Sequence, residues 1–241
     1  MNDKWSEFGE IVRLTGNYVE HLIDEGTLSI PFQKSIPRGE DGTAEAAPRA
    51  DMALDPVRAL KELQETVSTC RKCALSKTRT LTVFGSGASR TPLIFVGEAP
   101  GAEEDRQGLP FVGRAGQLLT KMLAYIGLKR EDVYITNVLK CRPPDNRDPL
   151  PAEVACCEPY LRAQLEVVQP RLICALGRYA AQTLLKTEVG ISKLRGRFHN
   201  YHGITILPTY HPAYLLRNPA DKDKAKEDLK KVKAFLNEAR P

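Results

Sequence analysis

The sequence predicts an α/β protein in which a mainly parallel, four-stranded sheet is covered by helices on both faces. Short apolar runs recur at Leu93–Val96, Val133–Val138, Leu172–Leu176 and Ile204–Leu207, with the length and composition of fully buried strands. Helical patterns lie between and after them at about Ala115–Ile126, Pro151–Val168 and Tyr179–Leu185. Such alternation builds parallel sheets packed on both faces, which bind ligands beyond the carboxyl ends of their strands. The Gly-, Pro- and acid-rich clusters of this chain fall there.

In chain order, residues 4 to 24 place Trp5, Phe8, Ile11, Val12, Val19, Leu22 and Ile23 at spacings of three and four, the stripe of an amphipathic helix suited to docking on a protein partner. Gln33 to Met52 mixes Pro37, Gly39, Gly42 and Pro48 with small and charged residues and has no hydrophobic period, so it reads as a flexible linker. The expected division is a helical extension over 1–32, a linker over 33–54 and the main domain over 55–241. Asp55-Pro56 opens that domain as a helix start, a capping carboxylate followed by Pro at the first helical position, and Leu60, Leu63 and Val67 continue one apolar face towards Cys70.

A chain of 241 residues with 42% hydrophobic content can bury a full core. The N-terminus MNDKWSEFGE has no basic region followed by an apolar run, and no stretch of 18 uncharged apolar residues occurs, so a cytoplasmic protein without a membrane segment is expected. Thiols stay reduced in the cytosol, which makes the six cysteines ligands or core residues rather than disulfides. The net charge of +5 favours an anionic partner only weakly, since 35 Lys and Arg face 30 Asp and Glu.

Cys70-Arg-Lys-Cys73 is a two-ligand clip, because two intervening residues let both sulfurs point at one centre. Cys141 and Cys157 offer a second pair across a Pro-rich loop and a helix start. Cys156 competes with Cys157, the two pointing about 100° apart on a helix, and spacing does not choose between them. Nor does it choose between zinc and an iron–sulfur cluster, since both accept four thiolates. Cys174, within Leu172–Leu176, reads as a core thiol.

Gly97-Glu98-Ala99-Pro100-Gly101 follows the first strand directly, and its glycines let the backbone approach a ligand. Glu98, Glu103, Glu104 and Asp105 then present carboxylates able to orient water or meet a developing cation, and Phe111 stands between Gly108 and Gly113. Lacking the G-x-x-x-x-G-K-[ST] spacing and crowded with carboxylates, this loop is no phosphate cradle. Asn137, buried in an apolar run, carries one acceptor and two donors, enough to read the edge of a nucleobase. His211 follows the last strand and reaches the same edge of the sheet, flanked by Pro, aromatic and Arg residues.

GEAPG, GLPFVG, TNVLKCRPPDN and HPAYLLRNP, in this order and with these cysteines, resemble the family 4 iron–sulfur uracil-DNA glycosylases over roughly Val57 to Lys233. The resemblance implies a three-layer α/β/α fold and a [4Fe–4S] cluster on Cys70, Cys73, Cys141 and Cys157. It implies hydrolysis of the N-glycosidic bond of deoxyuridine in single- or double-stranded DNA, leaving an abasic site for base excision repair. In the roles it implies, Gly97, Glu98 and Ala99 form the water-activating loop and contact uracil, Phe111 stacks on the flipped base, Asn137 distinguishes uracil from cytosine, and His211 stands near uracil O2. Cleavage develops positive charge on the sugar and negative charge on the base, so a donor beside O2 and carboxylates near the sugar favour the transition state. Stacking and an amide reader offset the cost of taking the base out of the helix.

Ala99 stands where the better-known GQDPY glycosylases carry a water-orienting Asp, so the catalytic carboxylate falls first to Glu98, with Glu103 or Asp105 next. Expected DNA contacts are phosphate pairing by Arg142, Arg147, Lys193, Arg195, Arg197 and Arg217, with Leu215 or Leu216 wedged into the gap left by the base. The expected protein is a monomer that joins the nucleoid when acting on DNA. One rival reading is a related protein trapped covalently on DNA through a His in an inserted basic loop, but CRPPDNRDPLP contains no His. A metal-stabilised, non-enzymatic DNA-binding module is the other.

Overall fold

The computed structural model describes residues 55–238. The helical extension and the linker read from residues 1–54 lie outside the described residues.

Asp55 accepts the Val57 N–H at 3.1 Å and Pro56 takes the first helical position, opening helix α1, Pro56–Ser68. The strands are β1 Ser86–Gly87, β2 Leu93–Gly97, β3 Tyr134–Asn137, β4 Leu172–Leu176, β5 His199–Tyr201 and β6 Ile204–Thr209. They form one sheet in the order β1-β3-β2-β4-β6-β5, with the inner four parallel and the two edge strands antiparallel. The expected four strands are therefore the inner four. The edge strands span two and three residues, too short to leave an alternating pattern in sequence. The other helices are α2 Ala102–Gln107, α3 Arg114–Tyr125, α4 Pro151–Val168, α5 Gly177–Leu185, α6 Ile191–Leu194, α7 Pro212–Arg217 and α8 Lys222–Asn237.

Alternate residues of each inner strand feed opposite cores. Ile94, Val96, Ile173 and Ala175 pack with Leu60 and Val67 of α1, Leu161 and Leu165 of α4, and Ala180 and Leu184 of α5. Leu93, Phe95, Leu172, Cys174 and Leu207 pack on the other face with Leu119 and Leu123 of α3, Leu215 of α7, and Leu229 and Val232 of α8. The result is three layers, α/β/α. Helix α8 escaped the sequence reading because its buried side chains, Ala225, Leu229 and Val232, form a thin stripe among charged residues. Connections leaving β2 and β4 place α3 and α5 on opposite faces, so the chain parts between these strands and opens a crevice at their carboxyl ends. Among the described residues no helix is long and apolar enough to cross a membrane.

Candidate active site

The crevice is a cleft of about 440 Å³ whose walls include Glu98, Phe111, Asn137, Asp148, His211 and Arg217. Each follows from where a strand ends. Gly97 pairs with Asn137 in the β2–β3 ladder, and beyond it the Val138 and Leu139 N–H groups donate to the Gly97 and Glu98 carbonyls at 2.9 and 3.0 Å. The backbone of Asn137 is thus zipped to the glycine-rich turn. Its side chain is 1% exposed, yet among the described residues Oδ1 has no hydrogen-bond partner. A buried acceptor left unpaired costs about 1–3 kcal/mol, a cost that a ligand N–H would remove.

Gly97 leaves room for that ligand. A Cβ there would lie 2.3 Å from Asn137 Oδ1 and 2.6 Å from Phe111 Cζ, so the amide and the aromatic ring share one narrow slot that any side chain at 97 would fill. Phe111 holds a left-handed backbone, φ 54°, which is strained for a bulky residue. Its neighbours enforce that conformation: Arg130 donates to the carbonyls of Pro110 at 2.7 Å and Phe111 at 3.0 Å, and Glu104 Oε1 accepts the N–H groups of Val112 and Gly113, each at 2.9 Å.

His211 caps α7, its Nδ1 accepting the Ala213 N–H at 3.1 Å, which assigns the ring proton of the neutral imidazole to Nε2. Burial, seconded by the Arg217 charge, lowers its pKa to about 4, so the ring is a neutral donor at physiological pH. It lies 5.6 Å from the Phe111 ring, centroid to centroid. At Glu98, burial and then the Asp148 charge raise the pKa to about 7, with Arg178 partly opposing. Tyr179 donates to the same Asp148 carboxylate, and Arg178 lies 3.6 Å from it.

Several residues expected at the site from sequence lie elsewhere. Glu103 pairs with Arg106 on the surface of α2, and Asp105, 4% exposed, accepts the Thr80 N–H through both oxygens at 3.0 and 3.1 Å. Neither lines the cleft, because one turn of α2 directs them away while Glu104 faces it. Leu215 is 1% exposed in the core beneath α7 and has no surface to insert into DNA, whereas Leu216 is half-buried. The Arg195 guanidinium is paired with buried Asp228 at 2.7 and 3.0 Å and lies over the Tyr210 ring. Asp228 also accepts the Thr209 hydroxyl at 2.7 Å, so Arg195 belongs to a clamp on the end of β6 from which His211 extends. Arg147 pairs with Glu153 at 2.6 and 2.9 Å and borders the cleft, and Arg142 donates to Asn146 at 2.9 Å. Arg197, Arg217 and Lys193 are exposed. Asp148, Asn146 and Arg130 were missed in sequence. The first two sit in the loop after β3, where the rule that ligands lie beyond strand ends points.

A second cavity is lined by Cys70, Cys73, Cys141, Cys156 and Cys157. Cys141 Sγ accepts from Arg79 Nη1 at 3.2 Å, and Cys157 Sγ accepts the Lys140 main-chain N–H at 3.3 Å. Cys156 instead donates its S–H to the Lys72 carbonyl at 3.4 Å. Burial pushes the Cys157 thiol up to about 11 and raises Cys141 as well, so a cation bound here must displace protons. Among the described residues no three His, Cys, Asp or Glu side chains converge as ligands of one metal ion.

Comparison with known proteins agrees with this architecture. The family model for the uracil DNA glycosylase superfamily matches residues 84–236. A type-4 uracil-DNA glycosylase of Archaeoglobus fulgidus is 46% identical over 193 residues, covering 77% of this chain and 97% of the relative. The type-4 uracil-DNA glycosylase of Thermotoga maritima is 47% identical over 178 residues, covering 72% and 93%. A type-5 uracil-DNA glycosylase of Pyrobaculum aerophilum is 37% identical over 140 residues, covering 51% and 62%. With its three-layer fold and a cleft at the switch point of the sheet, the chain belongs to the uracil DNA glycosylase superfamily and is similar to its type-4 members.

Proposed function

We propose that this protein excises uracil from DNA by hydrolysing its N-glycosidic bond. The observation that carries the reading is the Asn137 amide, buried beside the Phe111 ring with its oxygen unpaired. A planar base fits the slot. Uracil presents an N3–H donor to that oxygen and its O4 to the amide N–H, whereas cytosine presents an acceptor and an amino group in these places, leaving both partners mismatched. Phe111 supplies a stacking surface that offsets unstacking from the helix. A thymine methyl, by contrast, would need room beside these side chains.

Bond breaking leaves negative charge on the base and positive charge on the sugar. The Nε2–H of His211 is a neutral donor, and it strengthens its hydrogen bond to O2 as charge develops there without having to give up its proton. Ionised Glu98, at the end of β2, attracts the sugar cation and orients the attacking water. Arg217 at the cleft edge pairs with a phosphate, joined by Arg142, Arg197 and Lys193, and Leu216 replaces Leu215 as the candidate wedge.

Cys70, Cys73, Cys141 and Cys157 would hold a [4Fe–4S] cluster. The N–H groups aimed at Cys141 and Cys157 suit thiolate ligands, and these cysteines line one cavity with Cys70 and Cys73. The Cys156 thiol faces the Lys72 carbonyl, which supports Cys157 as the fourth ligand. When bound, the cluster supplies cross-links between the loop after α1, the loop after β3 and the start of α4, a structural service apart from the cleft.

Incubation with a uracil-containing oligonucleotide followed by alkali tests the proposal. Multiple-turnover strand breakage at uracil is expected. A stable protein–DNA adduct would point to covalent trapping, and intact DNA to a binding module.

A further inference from the structure

Lys140 borders the cysteine-lined cavity and bonds to the main chain of Asn137, whose side chain lines the slot. Lys140 is 1% exposed, and its ammonium donates to Thr136 Oγ1 at 2.6 Å, to the main-chain carbonyl of Asn137 at 2.7 Å and to Gln164 Oε1 at 2.6 Å. The three acceptors match the three donors of an ammonium and oppose the burial that lowers the Lys140 pKa to about 7. The acceptors are themselves held. Gln164 Nε2 donates to the Phe84 carbonyl at 2.9 Å and to Tyr134 Oη at 3.0 Å, and the Thr136 hydroxyl reaches the same Phe84 carbonyl at 2.8 Å. From its backbone, Lys140 donates to Cys157 Sγ at 3.3 Å and accepts the Val83 N–H at 2.8 Å, and Cys141 follows it in sequence.

An apolar side chain would fill this interior position at less desolvation cost, so packing alone does not account for a lysine. What the ammonium grips is the peptide that carries Asn137, and it does so from beneath the sheet while the zipper to Gly97 and Glu98 holds the same segment from the side. We propose that Lys140 is a positioning residue of uracil excision: its hold on the Asn137 carbonyl fixes the aim of the Asn137 amide and ties the base-reading slot to the cysteine-lined centre. The inference rests on the uracil-excision reading above.

The test uses the full chain isolated with its iron, as wild type, Lys140→Met and Thr136→Val, the last removing one acceptor of the ammonium while keeping side-chain volume. Iron per chain, affinity for abasic-site DNA, inhibition by free uracil and kcat/KM on uracil DNA are measured together. Iron content and abasic-site affinity should match wild type. Inhibition by free uracil should weaken about tenfold or more and kcat/KM should fall about 10- to 100-fold in Lys140→Met, the scale of a misplaced contact, with smaller losses in the same direction in Thr136→Val. The proposal is overturned if uracil inhibition and kcat/KM stay at wild-type values, or if activity is lost only in proportion to iron. If Lys140→Met does not fold, Thr136→Val decides by the same criteria. A wild-type protein that leaves uracil DNA intact would instead overturn the excision reading itself.

Discussion

At the scale of single residues, burial in one cleft pushes two side chains in opposite directions. It raises Glu98 to about 7 and lowers His211 to about 4. If Glu98 acts ionised, its contribution to kcat/KM should climb with pH through about 7, with no step from His211 between about pH 5 and 8. Glu98→Gln should abolish the climb. Asp148→Asn, which removes the second cause of the raised value, should shift it towards acid, and a pH–rate profile of the three proteins checks both outcomes. The same shift has a stability consequence. The folded carboxyl holds its proton above the ordinary value of 4.5, so ionising it costs stability that is absent below 4.5 and fully felt above 7. After discounting for solvent screening, Glu98→Gln should stabilise the protein by about 1–2 kcal/mol near pH 8, and the gain should vanish near pH 4.5, as denaturant unfolding at the two pH values would reveal. His211→Ala should lower kcat by about 100-fold or more while leaving DNA affinity nearly unchanged.

At the scale of elements, arginines that look alike in sequence separate by what they touch. Arg195→Ala would strand Asp228, which is 1% exposed, and should destabilise the fold by about 3 kcal/mol without altering the salt dependence of DNA binding. Arg217→Ala should leave stability alone and reduce the slope of log K against log salt by about one. The distinction was not legible in sequence, because Asp228 sits on a helix whose apolar stripe is thin and its pairing with Arg195 spans distant segments. What was legible is what local chemistry decides. The inner strands are continuous apolar runs, α4 begins at Pro151 and ends at Val168 as its pattern indicates, Asn137 closes β3, and Glu98 and His211 stand just beyond strand ends. The split within Glu103-Glu104-Asp105 was not, since all three carboxylates look equivalent until the helix turns one towards Val112 and Gly113 and buries another under Thr80. Leu215 and Leu216 differ in the same way, by which face of α7 meets the core.

At the scale of the molecule, two sites share one scaffold. The cysteine-lined cavity joins loops that are distant in sequence, so the cluster proposed there should contribute stability more than chemistry. Cys157→Ser should lose iron and melt earlier, while Cys156→Ser should keep both iron and melting temperature, as iron analysis and calorimetry would register. The slot between Gly97, Asn137 and Phe111 carries the function proposed here, and a crystal structure of the protein with free uracil tests it most directly. The ring should lie against Phe111, with its N3–H on Asn137 Oδ1 and its O2 within hydrogen-bonding distance of His211 Nε2. Uracil bound elsewhere, or in the cleft with the Asn137 amide unengaged, would contradict the account.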